Sequence, residues 1–134
     1  MKFPTWIKVY GDAGFRGDGP RESAEHVTVF AELRRRHPDT YGVIALHPKN
    51  EANRYKHQAL TDHVNGMSPG APDIIIPGAP TFCCELKRVD HTKSAWSKHQ
   101  LAWLKAAHDA GAFVCVALGW HAAIEAFEDW LELQ

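Results

Sequence analysis

The amino-acid sequence predicts an α/β domain in which helices flank a small mixed β-sheet. Three observations support this fold class. Apolar residues at helical spacing alternate along the chain with short apolar runs that are typical of buried strands. The resulting order is helix, strand, helix, strand, strand, helix, strand, helix. The 134 residues, of which 45% are hydrophobic and 23% are charged, suffice for one domain with a substantial core.

The first 21 residues are interpreted as an N-terminal arm that precedes the domain of residues 22–134. Residues 6–10 could form a short strand. Residues 11–20 include four glycines and are predicted to be a mobile loop, at the surface or at an oligomer contact.

Three elements are predicted in the first half of the domain. Apolar residues recur at helical spacing over residues 21–37, and Pro38 ends this helix. The apolar run of residues 41–46 is typical of a buried strand. Residues 52–65 are polar and predicted to be helical, with Gly66 as the stop.

Two neighbouring apolar runs, residues 73–76 and 82–87, predict an antiparallel hairpin around a Pro-Gly-Ala-Pro turn. In that hairpin Asp73 lies directly opposite Glu85, with Cβ atoms about 4.5–5.5 Å apart. Lys87 follows two residues later and therefore shares a face with Glu85. Carboxylates this close repel each other unless a cation lies between them, so the hairpin suggests a divalent metal and phosphodiester chemistry.

The last three elements are a helix over residues 94–110, a strand over 112–118 and a helix over 121–133. Gln100 lies on the apolar stripe of the first of these helices. A buried amide without a hydrogen bond costs roughly 1–3 kcal/mol, so Gln100 either binds backbone or faces the metal centre. Its proximity to the acidic hairpin favours the second role.

Two acids, Glu22 and Glu25, lie near the apolar stripe of the first helix. Acids in a first helical turn interact favourably with the helix dipole, which explains at least one of them. The other could contribute to the proposed metal centre.

Composition excludes several classes of protein. The sequence has no glycine-rich dinucleotide motif and no phosphate-loop lysine motif, so a nucleotide-driven motor is not supported. Its three cysteines lack CxxC spacing and are predicted to be reduced and buried. It contains no run of about 20 apolar residues and no secretory leader, so a cytoplasmic protein is expected. The net charge of −1 is unusual for a nucleic-acid binder, but a cluster of acids lowers the sum.

Taken together, these motifs resemble the PD-(D/E)XK nuclease superfamily, and more closely its virus-type replication-repair nuclease (VRR-NUC) domain in the stand-alone form typical of phages and prophages. Pro72-Asp73 stands for the "PD", and Glu85-Leu86-Lys87 for the "ExK". His26 stands where this family usually has glutamine. The resemblance covers residues 22–131, and its matching segments are Glu22–His26, Asn50–Arg54, Gly66–Ile74, Glu85–Arg88, Ser97–Leu104 and Gly111–Val116.

The resemblance implies a restriction-endonuclease-like core and a role for each residue. Asp73, Glu85 and the backbone carbonyl of Leu86 would hold Mg²⁺, for which Mn²⁺ substitutes. Lys87 would orient or deprotonate the attacking water. Gln100 would position water or phosphate, and Glu22, or alternatively Glu25, would support the metal.

The residues expected to contact nucleic acid are Arg54, Lys56, Arg88, Lys98, His26 and His99. A solvated helix face explains Arg54 and Lys56 equally well. The other histidines, His47 among them, have no His-x-His or His-Glu-x-x-His pattern and are mostly expected at the surface.

The implied activity is that of a Mg²⁺-dependent DNA endonuclease, encoded by a phage or prophage and acting in the bacterial cytoplasm. Related stand-alone domains suggest branched or nicked DNA, such as four-way junctions and flaps. Because a junction needs two cuts, a homodimer is expected. The alternatives are a non-catalytic DNA-binding or assembly module and a sequence-specific restriction-type nuclease.

Overall fold

The computed structural model describes residues 1–48, 60–61 and 63–134. At its centre is a four-stranded sheet with the order β1-β4-β3-β2. Its strands are β1 (Lys8–Tyr10), β2 (Ile74–Ile76), β3 (Phe82–Lys87) and β4 (Phe113–Leu118). The β2–β3 pair is antiparallel, whereas β1 and β3 both run parallel to β4, so the sheet is mixed as predicted.

Helices cover both faces of the sheet. They are α1 (Glu22–Arg36), α2 (Tyr41–Ile44), α3 (Gln100–Asp109) and α4 (Trp120–Leu131), with a short 3₁₀ turn at His91–Lys93. α1 and α4 form a core with Cys84 and Leu86 of β3, and α3 packs on the opposite face, on the side of Cys83. None of the helices among the described residues is long and apolar enough to cross a membrane.

The acidic hairpin has the predicted register. Ile74 pairs with Cys84, and Ile76 pairs with Phe82, so the same register carried one step further sets residue 73 opposite residue 85. Alternation along β3 sends Glu85 and Lys87 toward α3, whereas Leu86 lies in the core beneath α1 and α4. Local sequence pattern was sufficient here because a short turn leaves few alternative pairings.

The strand predicted at residues 41–46 was wrong. Residues 41–44 form helix α2, and only Leu46 pairs with the sheet, through two hydrogen bonds of 2.9 Å with Ile75. Val43 is 67% exposed, so this apolar run is not buried as a central strand would be. The Tyr41 ring, in contrast, packs 5.4 Å from that of Trp130, and this contact favours the helical turn.

The helix predicted over residues 94–110 begins only at Gln100. Ser94 does not cap it, because its hydroxyl donates to Glu22 and accepts the backbone N–H of Arg88. His99 has a left-handed φ of 76°, which interrupts the helix. The backbone of Gly70 packs against this turn. A Cβ on Gly70 would clash with the carbonyl oxygen of His99, so a residue with a side chain does not fit at position 70.

Three further predictions concern the N-terminal arm, residues 52–65 and the cysteines. Residues 8–10 do form a strand, and the loop that follows is tied to the body where the Gly17 N–H donates to Asp90 over 3.0 Å. Most of the helix predicted over residues 52–65 lies outside the described residues. The described cysteines are buried and free, as expected.

Candidate active site

The two hairpin acids differ in their surroundings. Asp73 is half-buried, and its Oδ2 accepts the backbone N–H of Leu86 over 2.8 Å. Glu85 is only 2% exposed. The hairpin therefore holds one carboxylate at the surface and the other immediately beneath it.

Glu85 lacks the hydrogen bonds that a buried carboxylate requires. Its Oε1 accepts from Nε2 of Gln100 over 3.0 Å, but its Oε2 is buried and has no partner among the described residues. Burial raises the pKa of Glu85 well above its usual range, and the adjacent Asp73 carboxylate raises it further. A cation between the two acids would favour the ionised form and satisfy the open oxygen.

Lys87 is held by three groups beside this pair. Its Nζ donates to the Ala95 carbonyl over 2.8 Å and to Oε1 of Gln100 over 3.2 Å, and it lies 3.7 Å from Oε1 of Glu85. The ring of Trp96 is 5.4 Å away. The ammonium group is therefore fixed in position and desolvated.

Gln100 connects the two charged residues of β3. Besides its contacts with Glu85 and Lys87, its Oε1 accepts the backbone N–H of Ser97 over 2.7 Å. This bond ties Gln100, the first residue of α3, to the turn before the helix. The Ser-x-x-Gln spacing thus helps to position the amide.

The backbone carbonyl of Leu86 has a suitable direction for a ligand. Within a strand, the N–H and C=O of one residue point to the same side. The Leu86 N–H points to Asp73, so its carbonyl lies along the same edge of β3. Two carboxylates and a carbonyl thus line one location.

A cleft of about 430 Å³ opens beside this location. Lys98 and His99, both exposed, line it together with Asp73 and Gln100. A ligand in the cleft would therefore lie next to both of these side chains. The sequence had assigned Lys98 and His99 to nucleic-acid contacts.

A second group of ligand-type side chains lies around Asp73. Ligand atoms of His26, His47 and Asp73 all lie within 4.8 Å of one another. Burial lowers the pKa of His26, and the neighbouring His47 lowers it further. His47 is exposed, as the sequence predicts, but its proximity to Asp73 was not predicted. That proximity depends on the pairing of Leu46 with Ile75, which the local pattern does not reveal.

The two candidate glutamates of α1 have separate partners. Glu25 is 2% exposed, and its Oε2 accepts the N–H of Trp120 at the start of α4 over 2.5 Å. Glu22 is half-buried and accepts the Ser94 hydroxyl over 2.6 Å. Among the described residues, the group of metal-ligand side chains that includes Asp73 contains neither glutamate. The α1 residue that reaches Asp73 is His26.

Of the three remaining nucleic-acid candidates, the structure describes Arg88. The guanidinium group of Arg88 donates to the Gly19 carbonyl over 3.0 Å and thereby holds the N-terminal loop. Arg54 and Lys56 lie outside the described residues, as does the Asn50–Arg54 motif.

No protein-family model matches the chain, and no curated protein matches it. A solved structure of a VRR_NUC domain protein is similar to it, with a TM-score of 0.71 and 20% sequence identity. The similarity covers 87% of this chain and 93% of that one. The chain therefore has the fold of a VRR-NUC domain, as its motifs predicted.

Proposed function

We propose that this protein is a metal-dependent nuclease that hydrolyses phosphodiester bonds in DNA. The observation that carries the proposal is the buried Glu85, whose Oε2 has no partner among the described residues, while Lys87 Nζ is fixed 3.7 Å from its Oε1. A purely structural site would gain stability by replacing such groups with apolar side chains. Their retention next to an open cleft is understandable if they perform chemistry.

The donor set fits a hard divalent cation. Asp73, Glu85 and the Leu86 carbonyl offer oxygen atoms alone, which is what Mg²⁺ prefers and what Mn²⁺ accepts. When bound, such an ion polarises a phosphodiester and lowers the pKa of a bound water. Glu85 is the ligand that gains most, since its Oε2 is buried and has no partner among the described residues.

The residues of the chain itself then act in defined ways. Lys87 orients the attacking water and offsets the negative charge that develops on the phosphate. Gln100 keeps Glu85 and Lys87 apart at a fixed spacing, because its amide donates to one and accepts from the other. Lys98 and His99 hold the DNA backbone in the cleft through contacts with phosphate.

Branched DNA is the proposed substrate, with a homodimer as the working form. The chain contains one such centre, whereas resolving a four-way junction requires two cuts, which a two-fold pair of centres would supply. This selectivity rests on the resemblance to stand-alone VRR-NUC domains.

Cleavage assays test the proposal. Wild-type protein is incubated with labelled linear duplex, flap and four-way junction in Mg²⁺, Mn²⁺ or EDTA. Asp73→Asn is the informative variant, because it removes the charge but keeps an oxygen that can accept the Leu86 N–H. The matched control is Asp109→Asn, whose carboxylate pairs with Lys105 on α3.

We expect cleavage of branched DNA by wild type and by Asp109→Asn, and none in EDTA or by Asp73→Asn. Cleavage that persists in EDTA or in Asp73→Asn would refute the mechanism. Binding of every substrate without cleavage in any metal would favour a non-catalytic assembly module. Cutting of linear duplex at one sequence would favour a restriction-type nuclease.

A further inference from the structure

We infer that His26, His47 and Asp73 form a second cation site, specific for a divalent transition metal ion such as Mn²⁺ or Zn²⁺. Their ligand atoms lie within 4.8 Å of one another. They come from α1, from the segment after α2 and from the residue before β2, so folding alone brings them together. We call these three residues the histidine site.

The spacing suits a small ion. Bonds of about 2.0–2.2 Å to nitrogen and oxygen allow two ligands of one ion to be up to about 4.2 Å apart. Rotation about side-chain bonds supplies the remaining approach. His47 is exposed, and His26 and Asp73 are half-buried, so an ion enters from solvent without unfolding the domain.

The hydrogen bond of His47 selects the tautomer that binds metal. Its Nδ1 lies 2.9 Å from the backbone carbonyl of Asp73, which can only accept, so Nδ1 carries the proton. The lone pair is therefore on Nε2. A ring nitrogen that donates to a carbonyl while the other faces the ion is the usual arrangement in metal-binding histidines.

The ring of His26 is also held in place. It packs 5.0 Å from the ring of Phe30 and 4.1 Å from that of His47, at 71° to the latter. This edge-on arrangement lets nitrogen atoms of both rings approach one point, which parallel stacked rings would not do. These contacts keep the two rings close to each other and to Asp73, so that side-chain rotations complete the approach to an ion.

The ligand types determine which ion binds. Two imidazole nitrogens and one carboxylate suit borderline ions such as Mn²⁺, Fe²⁺, Co²⁺ and Zn²⁺, whereas Mg²⁺ prefers oxygen alone. The histidine site is thus chemically different from the oxygen site of Asp73, Glu85 and the Leu86 carbonyl. Asp73 belongs to both, so an ion at the histidine site offsets the charge that Asp73 places next to Glu85.

The test measures metal binding and needs no cleavage. Co²⁺ is titrated into tag-free protein, and its visible absorption and calorimetric heat are recorded before competition with Zn²⁺ and with Mg²⁺. The variants are His47→Ala and His26→Gln. The matched control is His108→Ala, on α3, whose ring lies 5.5 Å from that of Trp6.

We expect one Co²⁺ per chain, displaced by Zn²⁺ but not by an equal concentration of Mg²⁺. Removing a direct ligand in His47→Ala or His26→Gln should weaken binding at least as much as the ~10–100-fold typical of outer-shell changes. His108→Ala should bind Co²⁺ as wild type does. His47 is exposed, so His47→Ala is expected to fold, and circular dichroism verifies this.

Wild-type affinity for Co²⁺ in both histidine variants would overturn the inference, as would equal competition by Mg²⁺ or no binding at all. The outcome is separable from that of the nuclease proposal. Loss of the inference leaves Mg²⁺-dependent cleavage intact, and absence of cleavage leaves Co²⁺ binding measurable.

Discussion

Two oppositely charged residues, Glu85 and Lys87, are each 2% exposed in the middle of a hydrophobic domain. Burying such a pair costs more in lost hydration than the attraction returns, unless every polar atom is satisfied. Glu85 Oε2 has no partner among the described residues, and an open buried acceptor costs about 1–3 kcal/mol. The site is thus less stable than an apolar replacement, as expected where function rather than packing determines the residue.

At this scale, Gln100→Ala tests the arrangement. The substitution removes partners of Glu85, Lys87 and the Ser97 N–H at once. We expect the single-turnover cleavage rate to fall about 100-fold through misplacement of the lysine, with little change in DNA affinity. The free energy of unfolding should fall by about 1–3 kcal/mol.

The matched control for Gln100→Ala is Gln134→Ala. Gln134 accepts the Ala79 N–H at the opposite end of the hairpin, so its loss should leave the cleavage rate unchanged. Rates are normalised to the folded fraction measured by circular dichroism. A Gln100→Ala protein that cleaves at the wild-type rate would contradict the positioning role.

At the scale of elements, α1 is fastened to the start of α4 by Glu25. Helix N-termini have unpaired N–H groups, and a carboxylate that accepts one of them also interacts favourably with the helix dipole. Gly119, just before α4, has a positive φ of 93°, and a Cβ there would lie 3.6 Å from Glu25 Oε2. The hydrogen bond from the Trp120 N–H to Glu25 positions α1, and hence His26, relative to the sheet.

We expect Glu25→Ala to lower the free energy of unfolding by about 1–3 kcal/mol, because the Trp120 N–H loses a charged acceptor. Glu22→Ala should cost less, since Glu22 is half-buried and its partner is a hydroxyl that water can replace. Urea unfolding measures both. A larger cost for Glu22→Ala would contradict this assignment, and cleavage rates of the two folded variants decide which glutamate serves the site.

The hydrogen bonds that Asp90 accepts predict a pH dependence of the free energy of unfolding. Hydrogen bonds from the Thr92 side chain and the Gly17 backbone lower the pKa of Asp90 from 3.8 to about 2. A depressed pKa contributes stability that is fully present above the unfolded value and disappears as the pH falls through the folded value. Wild type should therefore lose this contribution between pH 3.8 and about 2.

Asp90→Asn should show a flatter decline of the unfolding free energy in that window, because its amide does not titrate. Urea unfolding across the acid range measures the slope. The control is Asp39→Asn, at an exposed aspartate, which should follow wild type. Equal slopes for wild type and Asp90→Asn would show that the hydrogen bonds of Asp90 contribute nothing to the acid sensitivity of the unfolding free energy.

At the scale of the whole molecule, the site lies where the sheet leaves an edge open. β2 is the edge strand of the described sheet. It pairs with β3 on one side, and among the residues that the structure describes Leu46 alone bridges to it on the other. Asp73 immediately precedes β2, so the acid is accessible from both the α3 face and the α1 face. Asp73 can therefore belong to both proposed cation sites, the oxygen site and the histidine site, and it also lines the cleft.

The proposed homodimer is tested at this scale. We expect light scattering coupled to size-exclusion chromatography to give twice the mass of one chain at working concentration. Paired cuts in one four-way junction should then occur within the lifetime of a single complex. A monomer that nevertheless cuts both strands of a junction symmetrically would contradict the two-fold arrangement.

Sequence pattern alone was sufficient for whatever depends on residues close together in the chain. The hairpin, its register, the opposition of Asp73 and Glu85 and the face of Lys87 follow from a short turn and the two-residue period of strands. Helices α1 and α4 follow from apolar spacing in the same way.

Only the tertiary structure decided the features that depend on distant contacts. His47 reaches Asp73 because Leu46 pairs with Ile75, Glu25 finds its partner 95 residues away, and residues 94–99 leave the helix because other groups bind them. The physical reason is that hydrogen bonds and packing between distant segments outweigh local propensities of a few tenths of a kcal/mol, roughly the range of helix preferences among ordinary residues.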